Sequence, residues 1–119
     1  MYDAKTLEKQ IKSDVSKLLD AYNIWYNMPV PGGYGESMVD YVCCHVTPKG
    51  IGRWLAIEAK RPDKWLTPQQ RKCMMELYWM GAKCFCISNS DGVNALHRYL
   101  KTLPPQPVVQ WKHILKDLS

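Results

Sequence analysis

Glu58-Ala59-Lys60 closes the apolar run Trp54-Leu55-Ala56-Ile57. Side chains alternate along a strand, so Glu58 and Lys60 share one face and Ala59 takes the other. Alone, a carboxylate beside an ammonium at a strand end is an ordinary surface ion pair. Asp40 changes the weight of that reading. Between the strand-like runs Met38 to Val46 and Arg53 to Lys60, the residues Thr47-Pro48-Lys49-Gly50 supply a turn. A hairpin centred on Lys49 pairs residues equidistant from it, which sets Asp40 opposite Glu58 with Cβ atoms roughly 5 Å apart. A slip of one residue would undo this register. Carboxylates so placed repel, and a fold with no use for them avoids the arrangement. A hard divalent cation removes the repulsion and gains oxygen ligands. Such an ion polarises a scissile phosphate, lowers the pKa of a bound water and offsets charge on the leaving oxygen. Lys60 beside it can orient the water or stabilise the transition state as a point charge; its structural alternative is to neutralise Glu58.

Other candidates carry two readings each. Thr67-Pro68-Gln69-Gln70 has the form of a capping box, in which Gln70 reaches back to the cap backbone. Gln70 can instead hydrogen-bond the water, the phosphate or a catalytic carboxylate, and one side-chain amide is not expected to serve both geometries. Glu8 sits at the edge of an apolar stripe near a helix start, where an acid favours the helix dipole and is ordinarily solvated. Arg61, Lys64, Arg71 and Lys72 form either a solvated face or a clamp for a nucleic-acid backbone. Trp65, lying among them, is expected to pack on the core or its loop more than to stack on an unpaired base. The cysteines at 43, 44, 73, 84 and 86 are odd in number and contain no Cys-x-x-Cys pair. They read as buried, reduced thiols, and a zinc site with His45 or His97 lacks the usual ligand spacing.

The elements that must position these residues follow from periodicity. Leu7, Ile11, Val15, Leu18 and Tyr22 predict a first helix, with Asp3 as its cap and Asn23 as its end. Ile24 to Met28 predicts a short strand and Pro29 to Gly35 a loop. A second helix opens at Thr67 with Pro68 in its first position, turns Met74, Leu77 and Tyr78 inward and stops at Gly81. Cys84-Phe85-Cys86-Ile87 predicts a buried strand. Ser90 or Asp91 caps a third helix with Val93, Leu96 and Leu100 on one side. Pro104, Pro105 and Pro107 then break the chain before an amphipathic tail carrying Trp111, Ile114, Leu115 and Leu118. The predicted order is α-β-β-β-α-β-α plus the tail.

Composition bounds the rest. A chain of 119 residues, 46% hydrophobic and 23% charged, suits one soluble domain. No apolar run is long enough to cross a bilayer and no secretory leader opens the chain, so a cytoplasmic location is expected. The net charge of +5 favours a polyanionic partner, bound by a surface the fold assembles rather than by a basic tail.

Together, Asp40, Glu58-Ala59-Lys60, Leu66-Thr67-Pro68-Gln69-Gln70 and Gly81-Ala82 resemble the VRR-NUC branch of the PD-(D/E)xK nucleases, over about residues 5 to 100. The resemblance implies a restriction-endonuclease-like α/β (α+β) domain, an αβββαβ core with a mixed central sheet flanked by helices, spanning residues 1–103. Residues 104–119 have no counterpart. It implies Mg2+ or Mn2+ bound by Asp40, Glu58 and the Ala59 carbonyl, Lys60 as a catalytic residue and Glu8 as the first-helix acid near the metal. Ala59 departs from the usual β-branched residue, and Met38-Val39 stands where a smaller approach to Asp40 is usual. Stand-alone, phage-type members resemble Holliday-junction resolvases, which implies a DNA endonuclease selective for branched structures and acting as a homodimer, here with the tail in the interface. The rival readings are a non-catalytic DNA-binding module on the same fold and a protein-interaction domain docking through the tail.

Overall fold

Ile11, Val15 and Leu19 recur every fourth residue and are fully buried, which gives α1 (Glu8–Ala21) one apolar face. In this computed structural model residues 8–29 and 39–108 are described. The predicted cap Asp3, most of the Pro29–Gly35 loop and the apolar tail residues from Trp111 onward lie outside them. Asn23 ends α1 in the left-handed region, at φ 55°, and the Ile24 N–H returns to the Leu19 carbonyl at 2.9 Å.

The chain then runs through β1 (Trp25–Asn27), β2 (Tyr41–Val46), β3 (Gly52–Ala59), α2 (Pro68–Trp79), β4 (Lys83–Ile87) and α3 (Ser90–Lys101). This is the predicted order. The sheet is mixed, in the order β1-β2-β3-β4; β1, β2 and β3 are antiparallel neighbours, and β4 returns parallel to β3 after the α2 crossover. The hairpin turn closes with the Gly50 N–H on the Thr47 carbonyl at 2.8 Å, and Gly50 takes φ +80°, which a side chain would strain. Its ladder runs from Val46↔Gly52 to Tyr41↔Ile57. Every pair is centred on Lys49, the register expected from the turn residues.

Helices lie on both faces of the sheet. On one, α1 and α3 cover Tyr41, Cys43, Leu55, Ile57 and Ile87 with Ile11, Val15, Leu19, Leu96 and Leu100, all buried. On the other, α2 covers less: Val39, Ala56 and Met74 are buried, and Val42, Cys73, Leu77 and Cys84 pack half-buried around them. α2 ends in a Schellman motif, with Gly81 at φ +101° and the Ala82 N–H on the Leu77 carbonyl at 3.0 Å.

Several local expectations are corrected. Tyr78 is 69% exposed, because Met74 and Leu77 already fill the narrow contact between α2 and the sheet. Trp65 is 60% exposed and covers no core. β4 is an edge strand, so only Ile87 is buried, and of the cysteines only Cys43 is buried, though all are free thiols. The cap of α3 is Asn89, whose Oδ1 accepts the Gly92 N–H at 2.8 Å, rather than Ser90 or Asp91. After α3 the chain docks at once: the Gln106 amide accepts the Val46 N–H at 2.7 Å and donates to the Val46 carbonyl at 3.1 Å. Among the described residues no helix is long and apolar enough to cross a membrane.

Candidate functional site

The hairpin ladder stops at Tyr41↔Ile57, one pair short of Asp40 and Glu58, and beyond it side chains replace backbone pairing. The Asp40 N–H donates to Glu58 Oε2 at 3.0 Å, and the Ala59 N–H donates to Asp40 Oδ2 at 2.8 Å. Each carboxylate therefore accepts an amide from the other's strand. Two acids expected only to repel are clasped, since a backbone N–H on an ionised oxygen is a strong, charge-assisted bond.

Glu58 is 2% exposed, the most deeply buried charged group described. Ala59 packs into the opposite core, as strand alternation requires. Burial first, then the Asp40 charge, push the Glu58 carboxyl from 4.5 up to about 7, against the opposing pull of the Asp40 N–H and of Lys60. Lys60 Nζ stands 3.9 Å from Glu58 Oε1, an electrostatic neighbour too distant for a hydrogen bond. The Lys60 N–H is tied to the Ile87 carbonyl at 2.9 Å, which anchors the end of β3 to β4. Cys86 pairs with Glu58 across the parallel ladder. Burial first, and Glu58 second, push its thiol up to about 11, so it stays protonated.

Gln70 serves both geometries at once. Its Oε1 accepts the Thr67 N–H at 3.0 Å, and Thr67 Oγ1 accepts the Gln70 N–H at 3.2 Å, completing the capping box. Its Nε2 donates to Glu58 Oε1 at 3.1 Å. The two ends of one amide thus cap α2 and fasten its first turn over the buried acid.

Lys12 is the residue that sequence reasoning missed. Its Nζ lies 3.3 Å from Asp40 Oδ1 and 3.5 Å from Glu8 Oε2. Burial opposes its charge, but Asp40 and Glu8 outweigh burial and raise its pKa above the ordinary lysine value. The available signal was the Glu8/Lys12 spacing of one helical turn; nothing in it pointed to Asp40. Glu8 meets Lys12 and reaches the pair only through that ammonium.

The basic candidates do not converge. Arg61 is held by Asp63, with Nε 3.2 Å from Oδ1 and Nη2 3.4 Å from Oδ2. Lys64 and Arg71 are exposed, and the well-exposed Lys72 Nζ is 3.9 Å from Glu76 Oε1. An open trough of about 690 Å³ runs along the outer face of α2, lined by Arg71, Lys72, Met75, Trp79 and Met80. It does not include the carboxylate pair, which lies under the first turn of that helix.

Among the described residues no three His, Cys, Asp or Glu side chains gather as a metal cage. The donors that meet there are the Asp40 and Glu58 carboxylates, with the Ala59 carbonyl as the third expected ligand. They fit an ion that takes one or two carboxylates and keeps several waters, as Mg2+ does, and they do not fit a zinc cage. No model of a known protein family, no curated protein and no solved structure matches the chain.

Proposed function

We propose that this chain is a Mg2+- or Mn2+-dependent endonuclease of the PD-(D/E)xK type, hydrolysing DNA phosphodiester bonds with selectivity for branched structures. The observation that carries the reading is the clasped Asp40–Glu58 pair at the end of β3, with Lys60 Nζ 3.9 Å from Glu58 Oε1. Asp40, Glu58 and the Ala59 carbonyl would hold the ion. When bound, the ion supplies Lewis-acid polarisation of the phosphate and a water of lowered pKa. Glu58 must be ionised to ligate, and the Asp40 N–H and Gln70 Nε2 hold its two oxygens in fixed directions. Lys60 keeps a point charge beside the reacting phosphate, where charge develops. Arg71, Lys72 and Lys64 would contact backbone phosphates outside the centre, positioning the substrate without reading sequence. Glu8 would influence the centre through Lys12. A cytoplasmic setting and a homodimer belong to the same proposal, since symmetric incision of a branch needs two centres in fixed relation.

A second reading is favoured by one observation: Lys12 already neutralises Asp40, as it would in a DNA-binding module that uses the acids only as structure. Incubation with linear, flapped and four-way DNA in EDTA, Mg2+ or Mn2+ separates the two. The nuclease reading requires metal-dependent incision, strongest on branched DNA. Salt-sensitive binding with no incision in either metal supports the module.

A further inference from the structure

Asp40 Oδ1 already has a cation, and that cation is built into the fold. Lys12 sits next to the fully buried Ile11 on α1, and its carbonyl accepts the Tyr41 hydroxyl at 2.8 Å. Tyr41 is itself fully buried, opens the β2 ladder and follows Asp40 directly in the chain. The same core contact that seats α1 therefore carries the Lys12 ammonium to within 3.3 Å of Asp40 Oδ1. One turn earlier, Glu8 Oε2 waits 3.5 Å from the same ammonium.

Resting on the reading of Asp40 and Glu58 as a divalent-cation site, we propose that Lys12 is the resident counter-ion of that site. It competes with the divalent cation for Asp40, and Glu8 acts by drawing the ammonium away rather than as a ligand. An ammonium has donors and no acceptor, so it cannot share in coordination, and its charge opposes a second cation at the same oxygen. Metal binding is then an exchange: Lys12 gives up Asp40 and keeps Glu8, which it already touches. The arrangement also explains why Glu8 stands near the centre without joining it. With Lys12 in place, the metal-free domain folds without leaving Asp40 unneutralised, at the expense of affinity for the ion.

The test is calorimetric titration with Mn2+ at about pH 8, where Glu58 is ionised, on the wild type, Lys12→Met, Glu8→Gln and the double variant. Met keeps the aliphatic stem and drops the charge. Lys12→Met should bind Mn2+ about tenfold tighter, the scale expected from removing a unit charge a few ångströms from a divalent ion in a partly exposed site. It should also be less stable than wild type to urea in EDTA. Glu8→Gln should bind several-fold more weakly, and that loss should vanish in the Lys12→Met background, because Glu8 then has nothing to draw away. Lys12→Gln repeats the measurement should Lys12→Met fold poorly. Unchanged or weaker Mn2+ binding in both Lys12 variants overturns the inference, and so does a Glu8→Gln loss that persists without Lys12, which makes Glu8 a ligand. Asp40→Asn separates the two levels. If it abolishes Mn2+ binding while the Lys12 variants match wild type, only the role of Lys12 falls. If no protein tested binds Mn2+ through Asp40, the metal-site reading falls with it.

Discussion

In protein stripped of divalent ions, replacing Glu58 by Gln should remove a pH dependence from folding stability. Burial first and Asp40 second raise this carboxyl from 4.5 to about 7, so the folded state binds its proton more tightly than the unfolded chain does. The stability it contributes is then fully present below about 4.5 and is lost as pH rises through about 7. The span of about 2.5 pH units, at 1.36 kcal/mol per unit, amounts to roughly 3 kcal/mol. Gln keeps the shape and has no proton to lose. Gln puts an NH2 donor where one of the two accepting oxygens stood, so the Asp40 N–H or Gln70 Nε2 loses its acceptor, but that offset is present at every pH and cancels in the comparison. The stability difference between Glu58→Gln and wild type should therefore swing by roughly 3 kcal/mol in favour of the variant between about pH 4.5 and pH 8. In a domain of this size that is a shift in relative Tm of roughly 10 °C. Urea unfolding in EDTA at several pH values measures it. Parallel stability profiles, or a swing favouring wild type at high pH, would refute the reasoning. Glu58→Ala is the poorer probe, because Glu58 is buried and both donors to it would lose their acceptor.

Lys60→Ala should lose single-turnover cleavage rate while Mn2+ affinity, read by calorimetry, changes little; preserved rate with weakened metal binding would make Lys60 structural. Gln70→Ala should destabilise the metal-free fold by about 2 kcal/mol against about 1 for Thr67→Ala, because it removes the Glu58 contact as well as the cap. Urea midpoints of the two variants check the order. Replacing Arg71 and Lys72 together by Ala should weaken DNA binding at low salt and flatten the dependence of log K on log salt by about 1 to 2 units. An unchanged slope would place the phosphate contacts elsewhere.

The fold was legible where local chemistry decides it. Pro48 and Gly50 fix the turn, the turn fixes the register, and the register brings Asp40 to Glu58; one residue's slip would have sent Glu58 into the opposite core, where Ala59 sits. Thr67, Pro68 and Gly81 likewise bound α2 because caps are local events. What was not legible depends on how layers meet. Lys12 reads as a solvated lysine on the rim of an amphipathic helix; only the packing of α1 against Tyr41 turns it toward Asp40. That Gln70 holds both of its expected roles at once was not legible, because a capping amide leaves its nitrogen free, and whether an acceptor stands there depends on α2 lying over β3. Tyr78 was turned inward by periodicity, yet α2 offers the sheet only the breadth of Met74 and Leu77. Asn89 was passed over as the α3 cap because Asn, Ser and Asp lie together there, all of them capping types, and backbone geometry alone chooses among them.

The central claim is that the clasped acids hold a divalent ion for phosphodiester hydrolysis. Its most direct test is cleavage of end-labelled four-way and flapped DNA in Mn2+ by wild type, Asp40→Asn and Glu58→Gln, purified in parallel, with folding confirmed by urea unfolding. The account predicts incision by wild type that EDTA abolishes, and loss of at least about a hundredfold in rate for each folded variant, as expected when a metal ligand is removed. Incision by either variant at the wild-type rate, or by wild type in EDTA, would contradict it.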